Sequence, residues 1–246
     1  MDEKIKVKVR NLTKYFGDLH VLNDVSFDVY EGEFLCIVGP TGCGKTTFLN
    51  SLTRLYEPTS GQILFDDQQV DLRKHNIAYI FQEYSAMTWL TVRQNVRFGL
   101  EIKKDRKDIE KRVDDALELV GLKKFEHYYP NQLSASMLQR VVIARAFATQ
   151  PQLLLMDEPY GQLDISLRFK LEDEVVRLCK NTNTTVIFIT HNIEEAVYLG
   201  DRIIVLSNKP TTIKETVKND LLHPRNIAAP EFVDIRNHIT NLIKWW

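Results

Sequence analysis

Five short stretches of this chain are nearly unbroken apolar runs: Phe34–Val38, Ile77–Phe81, Leu153–Met156, Thr185–Thr190 and Ile203–Leu206. A run of that length, apolar on both faces, predicts a strand buried in a parallel sheet. The N-terminal region reads differently. Ile5, Val7 and Val9 alternate with lysines, and Val21–Val29 sets Val25 and Phe27 against polar neighbours, which predicts an antiparallel β-region there. Helical spacing appears at Phe48, Leu49, Leu52 and Leu55, at Ile109, Val113, Ala116, Leu117 and Val120, and in the tail at Phe232, Ile235, Ile239 and Leu242. Thr91-Val92-Arg93-Gln94 has the form of a capping box, Gly121 stands where a helix stops, and Pro230 suits a first helical turn. A long amphipathic helix is expected from Gln162-Leu163-Asp164 to about Lys180, and another from Asn192-Ile193-Glu194-Glu195.

The stretch between the first two long apolar strands and the third, roughly 83–149, is mostly helical in pattern and interrupts a strand–helix alternation that resumes near residue 152. The chain therefore reads as one α/β domain over residues 1–246. Its expected parts are a mixed sheet with flanking helices, an N-terminal antiparallel β-region, an inserted helical subdomain and a helical tail from about residue 221. At 246 residues, 44% hydrophobic and 26% charged, it has the composition of a soluble globular protein. A net charge of −1 argues against a nucleic-acid surface. No apolar run reaches the roughly 18–20 residues of a membrane span, and Met1-Asp2-Glu3-Lys4 does not open a signal peptide. Cys36, Cys43 and Cys179 are too few and too scattered for a disulfide framework or a zinc site.

The first strong chemical signal lies between the strand at 34–38 and the helix after it. Gly39-Pro40-Thr41-Gly42-Cys43-Gly44-Lys45-Thr46-Thr47 fits G-x-x-x-x-G-K-[ST], a phosphate-binding loop. Backbone N–H groups at a helix N-terminus surround a polyphosphate, and glycines let the backbone approach it. Lys45 is expected to neutralise the β- and γ-phosphates, and Thr46 to offer a hydroxyl to Mg²⁺. Cys43 sits at a helix N-terminus, where a thiol pKa tends to fall, and is expected to be shielded from alkylation by ATP; for function it reads as a small filler residue. The second signal is Leu153–Met156 followed by Asp157 and Glu158, an apolar strand delivering two acids at its C-terminal end. Asp157 is expected to hold Mg²⁺. Glu158, pointing the other way in the pleat, would orient or deprotonate the attacking water. Four further sites stay ambiguous on spacing alone. The aromatic stretch at Tyr15-Phe16 either stacks on a base or packs into the core. Gln82 either reaches a ligand at the sheet edge or is a solvated loop residue. His191 either contacts a phosphate or is a structural histidine. Tyr84, Met87 and Trp89 form either a partner surface or a loop folded back on the core.

The order of these signals resembles the ATP-binding subunit of an ABC transporter over essentially the whole chain. Leu133-Ser134-Ala135-Ser136-Met137-Leu138-Gln139-Arg140, Leu163-Asp164 and Thr190-His191 complete the set. The resemblance implies that Phe16 stacks on adenine and that Gln82 contacts Mg²⁺ and water and senses a permease. It implies that Glu158 is the catalytic base, Asp164 a dimer-interface residue and His191 the γ-phosphate contact. It implies two such subunits, identical or not, with each ATP between one subunit's phosphate loop and the Ser134, Ser136 and Met137 region of the other. It also implies membrane permease subunits docking near Gln82–Leu90, a solute-binding protein acting indirectly, and a place at the cytoplasmic face of the membrane. Glu83–Val92 and the tail around His223-Pro224-Arg225 are similar to the nitrate/sulfonate/taurine importer branch. Other readings of such a chain are an ABC ATPase doing mechanical work without transport and a nucleotide-sensing subunit. The intact Lys45, Asp157, Glu158 and His191 weigh against the latter.

One departure from the family pattern stands out. The signature usually reads Leu-Ser-Gly-Gly, and here Ala135 and Ser136 replace both glycines. The added Cβ atoms would either crowd the phosphate or, if positive φ were needed there, disfavour the backbone by on the order of 1 kcal/mol or more. The expectation is a weakened signature contact, and a gain in ATPase activity when both glycines are restored.

Overall fold

The computed structural model describes residues 4–83, 85–103, 107–161 and 165–243. In chain order its elements begin with β1 (Ile5–Phe16), β2 (Leu19–Tyr30), β3 (Phe34–Val38), α1 (Lys45–Leu52), β4 (Ser60–Phe65), β5 (Gln68–Gln69) and β6 (Ile77–Ile80). Then come α2 (Val92–Ile102), α3 (Ile109–Leu119), α4 (Ala135–Ala148), β7 (Leu153–Asp157), α5 (Ile165–Thr182) and β8 (Thr185–Thr190). The last are α6 (Ile193–Leu199), β9 (Arg202–Leu206), β10 (Ile213–Lys218) and α7 (Pro230–Ile243). They fall into two compact units, Met1–His75 with Thr185–Trp246, and Asn76–Thr184.

The first unit holds two sheets. One is antiparallel, in the order β2-β1-β4-β5. Its tight turns are made by residues that tolerate a left-handed backbone: Gly17 at φ 56° between β1 and β2, and Asp66 and Asp67 at 47° and 61° between β4 and β5. The simple alternation read from the sequence breaks at bulges in β1, and Lys6 is buried there beside Val7. Its ammonium is kept soluble in the protein by Asp66 at 2.8 Å and by the face of Phe65. The other sheet is mixed. β3 lies between β8 and β9, parallel to both, and β10 runs antiparallel on the outer edge of β9. All five residues of β3 and all six of β8 are buried, which is why their apolar runs show no alternation. Short α6 and the tail helix α7 pack together, with Phe232 and Ile239 of α7 fully buried.

In the second unit β6 pairs in parallel with β7, and α2, α3 and α4 pack on one another. The local signals act as expected here. Thr91 caps α2 in a complete capping box with Gln94. Gly121, at φ 67°, closes α3: Leu122 N–H reaches Leu117 O and Gly121 N–H reaches Glu118 O, which satisfies two of the helix's last carbonyls. The apolar run at 77–81 ends as a strand at Ile80, one residue early, and Phe81 is exposed and stacks on Tyr79. Among the described residues, no helix is long and apolar enough to cross a membrane.

Candidate functional site

The glycine loop follows β3 directly and ends as the first turn of α1. Gly42 and Gly44 have φ of 78° and 112°, which only glycine adopts without strain. A Cβ on Gly42 would meet nothing, whereas one on Gly44 would lie 2.8 Å from Val21 Cγ1. The loop is therefore open on one side and wedged on the other. Gly39 is equally tight, with a Cβ falling 3.0 Å from both Cys43 Sγ and Leu206 Cβ. Thr211, fully buried in the β9–β10 connection, donates its hydroxyl to Cys43 O, and its own backbone bonds Val21 and Asn23 of β2. No local pattern marks Thr211, because its partner in the loop is 168 residues away.

Lys45 is buried, and its ammonium donates to Gly39 O at 2.9 Å and Pro40 O at 3.0 Å. It is thus held against the loop it would serve. Thr41 and Thr46 are exposed, and Pro40 and Thr47 partly so. Cys43 departs from expectation. Its side chain is only 2% exposed, and burial pushes its pKa up, outweighing the pull of Lys45. The helix N-terminus does not win, because the sulfur packs inward onto Gly39 instead of facing the loop's open side.

His191 lies beside this loop by register. Val38 at the end of β3 is paired with Thr190 at the end of β8. Thr190 is buried and donates to Glu195 at 2.6 Å, and it accepts from Asn192 N–H at 3.0 Å. Asn192 then caps α6 through the N–H groups of Glu194 and Glu195. The exposed His191 is fixed between these two anchors. Phe16, at the β1–β2 turn of the same unit, is 40% exposed, which rules out the core-packing alternative. Its ring meets Tyr56 edge-on at 5.3 Å, and Lys14 Nζ stands 4.9 Å over it. Tyr15 stacks on His20 instead, with centroids 4.0 Å apart.

In the second unit the same logic operates on β6 and β7. Ile80 is paired with Met156, so Gln82 and the Asp157–Glu158 pair leave the same end of two adjacent parallel strands. Asp157 is buried, Glu158 partly so, and Gln82 exposed. Glu158 does not continue the pleat, because its φ is +46°. Its direction is set by a left-handed backbone and not by strand alternation, and such strain in a non-glycine residue is typical of functional positions. In this unit Gln82 offers an amide oxygen and Asp157 a carboxylate, and in the first unit Thr46 offers a hydroxyl. These are oxygen donors of the kind Mg²⁺ takes in small number when phosphate oxygens and waters complete its shell. Among the described residues there is no cluster of three or more His, Cys, Asp or Glu that would hold a metal unaided.

Ser134 is the N-cap of α4, accepting from Met137 N–H at 3.3 Å and standing 3.0 Å from Ser136 Oγ. Ala135 and Ser136 are ordinary helical residues of the first turn and have no positive φ. The backbone-strain ground for a weakened signature is therefore removed. The loop after Gln82 is also built deliberately. Asn95, fully buried, accepts from Met87 N–H and donates to the carbonyls of Met87, Leu90 and Thr91. Arg145 of α4 bonds Ser85 O at 2.8 Å and Ser85 Oγ. On this frame Trp89 stands 73% exposed, so it is not folded back on the core. Tyr84, Leu163 and Asp164 lie outside the described residues.

The family model described as ABC transporter matches residues 22–161. An uncharacterized ABC transporter ATP-binding protein of Methanocaldococcus jannaschii is 43% identical over 249 residues, covering 98% of this chain and 92% of its own. The aliphatic sulfonates import ATP-binding protein SsuB of Bacillus anthracis is 36% identical over 237 residues, covering 95% and 94%. Among solved structures, the dimeric post-hydrolysis state of the ATP-binding cassette MJ0796, bound to ADP and Pi, is 32% identical. It covers 89% of this chain and 99% of that one, with a TM-score of 0.77.

Proposed function

Because this chain belongs to the ABC transporter family, as an ATP-binding subunit and an ATPase, we propose that it drives import of a small solute of the nitrate, sulfonate or taurine kind. The observation that carries the nucleotide chemistry is the open glycine loop at the end of β3, with Gly42 and Gly44 left-handed and Lys45 seated on its carbonyls. The relatives named for aliphatic sulfonate import favour an importer over an ABC ATPase without transport.

In this reading the loop N–H groups of Gly39–Thr47 bind the phosphates, and Lys45 shifts from Gly39 O and Pro40 O to their charge. Phe16 stacks on adenine. Thr46, Gln82 and Asp157 would hold Mg²⁺, which would supply neutralisation of phosphate charge. Glu158 orients the attacking water and takes its proton, and His191 donates a hydrogen bond to the γ-phosphate. Two copies, or this chain and a related one, face each other as the dimeric MJ0796 cassette suggests. Ser134, Ser136 and Met137 of one then meet the nucleotide of the other. A permease docks on the Gln82–Leu90 segment at the cytoplasmic face of the membrane.

The test is Glu158→Gln, studied by light scattering with and without Mg-ATP. The expected result is a dimer that forms only with ATP. A variant that binds ATP yet stays monomeric at all concentrations would sink the symmetric motor. Reconstitution with its permease and binding protein, comparing alkanesulfonate, taurine and nitrate as stimulants of ATP hydrolysis, then tests the solute class.

A further inference from the structure

Helix α6 is seven residues long, Ile193–Leu199. A helix that short does not hold itself together in water, and its last carbonyls have no partners of their own. Here those carbonyls are taken by side chains from the C-terminal tail. Arg225 is 6% exposed, and its Nη1 donates to Val197 O at 2.9 Å, Tyr198 O at 3.0 Å and Gly200 O at 2.8 Å. Its Nε bonds Leu221 O at 3.0 Å, and Nη2 stands 3.7 Å from Asp201. Asn219, 4% exposed, gives its amide to Val197 O at 2.8 Å and Gly200 O at 3.0 Å. The tail also reaches the other end of the helix, where Arg236 of α7 stands 3.7 Å from Glu194. The N-terminal end is already tied to β8 by Thr190 and Asn192.

We propose that Arg225, with Asn219, is a positioning residue for His191: the tail clamps the far end of the short helix whose near end carries that histidine. Burying an arginine costs solvation, which here pulls its pKa down. The guanidinium fork recovers that cost only by capping several carbonyls at once. Without it Tyr198 O loses its side-chain partner and Val197 O and Gly200 O are left to Asn219 alone, so the last turn of α6 shifts and His191 moves relative to the loop at Gly39. This inference rests on the role given to His191 above.

The experiment uses the full-length chain carrying Arg225→Met, Arg225→Lys, Asn219→Ala or His191→Ala. ATP affinity is read by titration, turnover is expressed per nucleotide-binding site, and hydrogen exchange is followed at the amides of 192–199. Arg225→Met should lower turnover about tenfold with ATP affinity within about twofold, because small misplacements cost rate more than binding. The α6 amides should exchange faster, and Arg225→Lys should recover part of the turnover. Folded Arg225→Met with parental turnover, beside an inactive His191→Ala, overturns the clamp alone. Parental turnover in His191→Ala overturns the histidine's role and the clamp with it. If Arg225→Met does not fold, Asn219→Ala and Arg225→Lys decide by the same readouts, and parental turnover in both overturns the clamp.

Discussion

Val38 and Thr190 are register partners in neighbouring parallel strands, so Gly39 and His191 leave the sheet side by side. Adjacent strands lie about 4.8 Å apart, so the chain leaves the sheet at two neighbouring points there. Lys45 of that loop and His191 have different proposed tasks, and their variants should differ too. Lys45→Ala removes a charge-assisted donor of about 1.5–3 kcal/mol, so ATP affinity should fall roughly ten- to a hundredfold. His191→Ala should leave ATP affinity nearly intact and lower turnover. Titration with a fluorescent ATP analogue, beside steady-state hydrolysis, separates the two, and equal losses of affinity would contradict the division.

Much of this arrangement is legible in the chain because it is written in local spacing. The apolar runs give the buried strands, and the glycines with Lys45 give the loop between β3 and α1. What local spacing cannot carry is a partner far along the chain. Thr211 holds Cys43 O and Arg225 caps α6 across long stretches of chain, and neither stands in a recognisable pattern. Rules applied one at a time also fail where two compete. A helix N-terminus lowers a thiol pKa, but Cys43 turns inward, and burial wins. Strand alternation would aim Glu158, but its left-handed backbone does so instead.

The signature offers a direct test of backbone strain. Ala135 and Ser136 sit in the first turn of α4 without positive φ. Glycine there brings no conformational relief and costs up to about 0.5–1 kcal/mol per position in helix stability. The double variant Ala135→Gly/Ser136→Gly should therefore show a lower Tm and unchanged turnover. A several-fold rise in ATP hydrolysis would mean that the Cβ atoms crowd the nucleotide, as the family pattern alone suggests.

Acid should loosen the helical part of the second unit through one charge cluster. Arg93 of α2 bonds Glu110 and Asp114 of α3 and Glu126 beyond it, and Lys123 bonds Asp114 and Glu126. The hydrogen bonds from Lys123 and Arg93 hold Asp114 below the usual carboxylate range, and that from Arg93 does the same for Glu110. A carboxylate depressed in the folded state stabilises it above the unfolded pKa. That contribution is lost as pH falls through the folded value. Tm should thus drop on acidification below about pH 4, where free carboxylates titrate. Arg93→Met should start lower at neutral pH and show a shallower acid-side slope. Both groups are substantially exposed, so added salt should blunt the difference. Parallel Tm–pH curves for parent and variant would assign the acid sensitivity elsewhere.

Trp89 and Asn95 divide the proposed docking segment into what is presented and what presents it. Trp89 is 73% exposed on a loop whose carbonyls at Met87, Leu90 and Thr91 are all held by buried Asn95. An exposed tryptophan contributes little to folding but is the kind of side chain that anchors an interface. Trp89→Ala should leave Tm and basal ATP hydrolysis unchanged and abolish co-purification with the permease. Asn95→Leu should behave in the opposite way. It strips several buried backbone groups of partners at about 1–3 kcal/mol each, so Tm should fall by many degrees. Permease capture by Asn95→Leu, measured below its own Tm, should then fail although Trp89 is present, because the loop no longer holds its shape. Normal capture by Trp89→Ala would move the docking surface away from this segment.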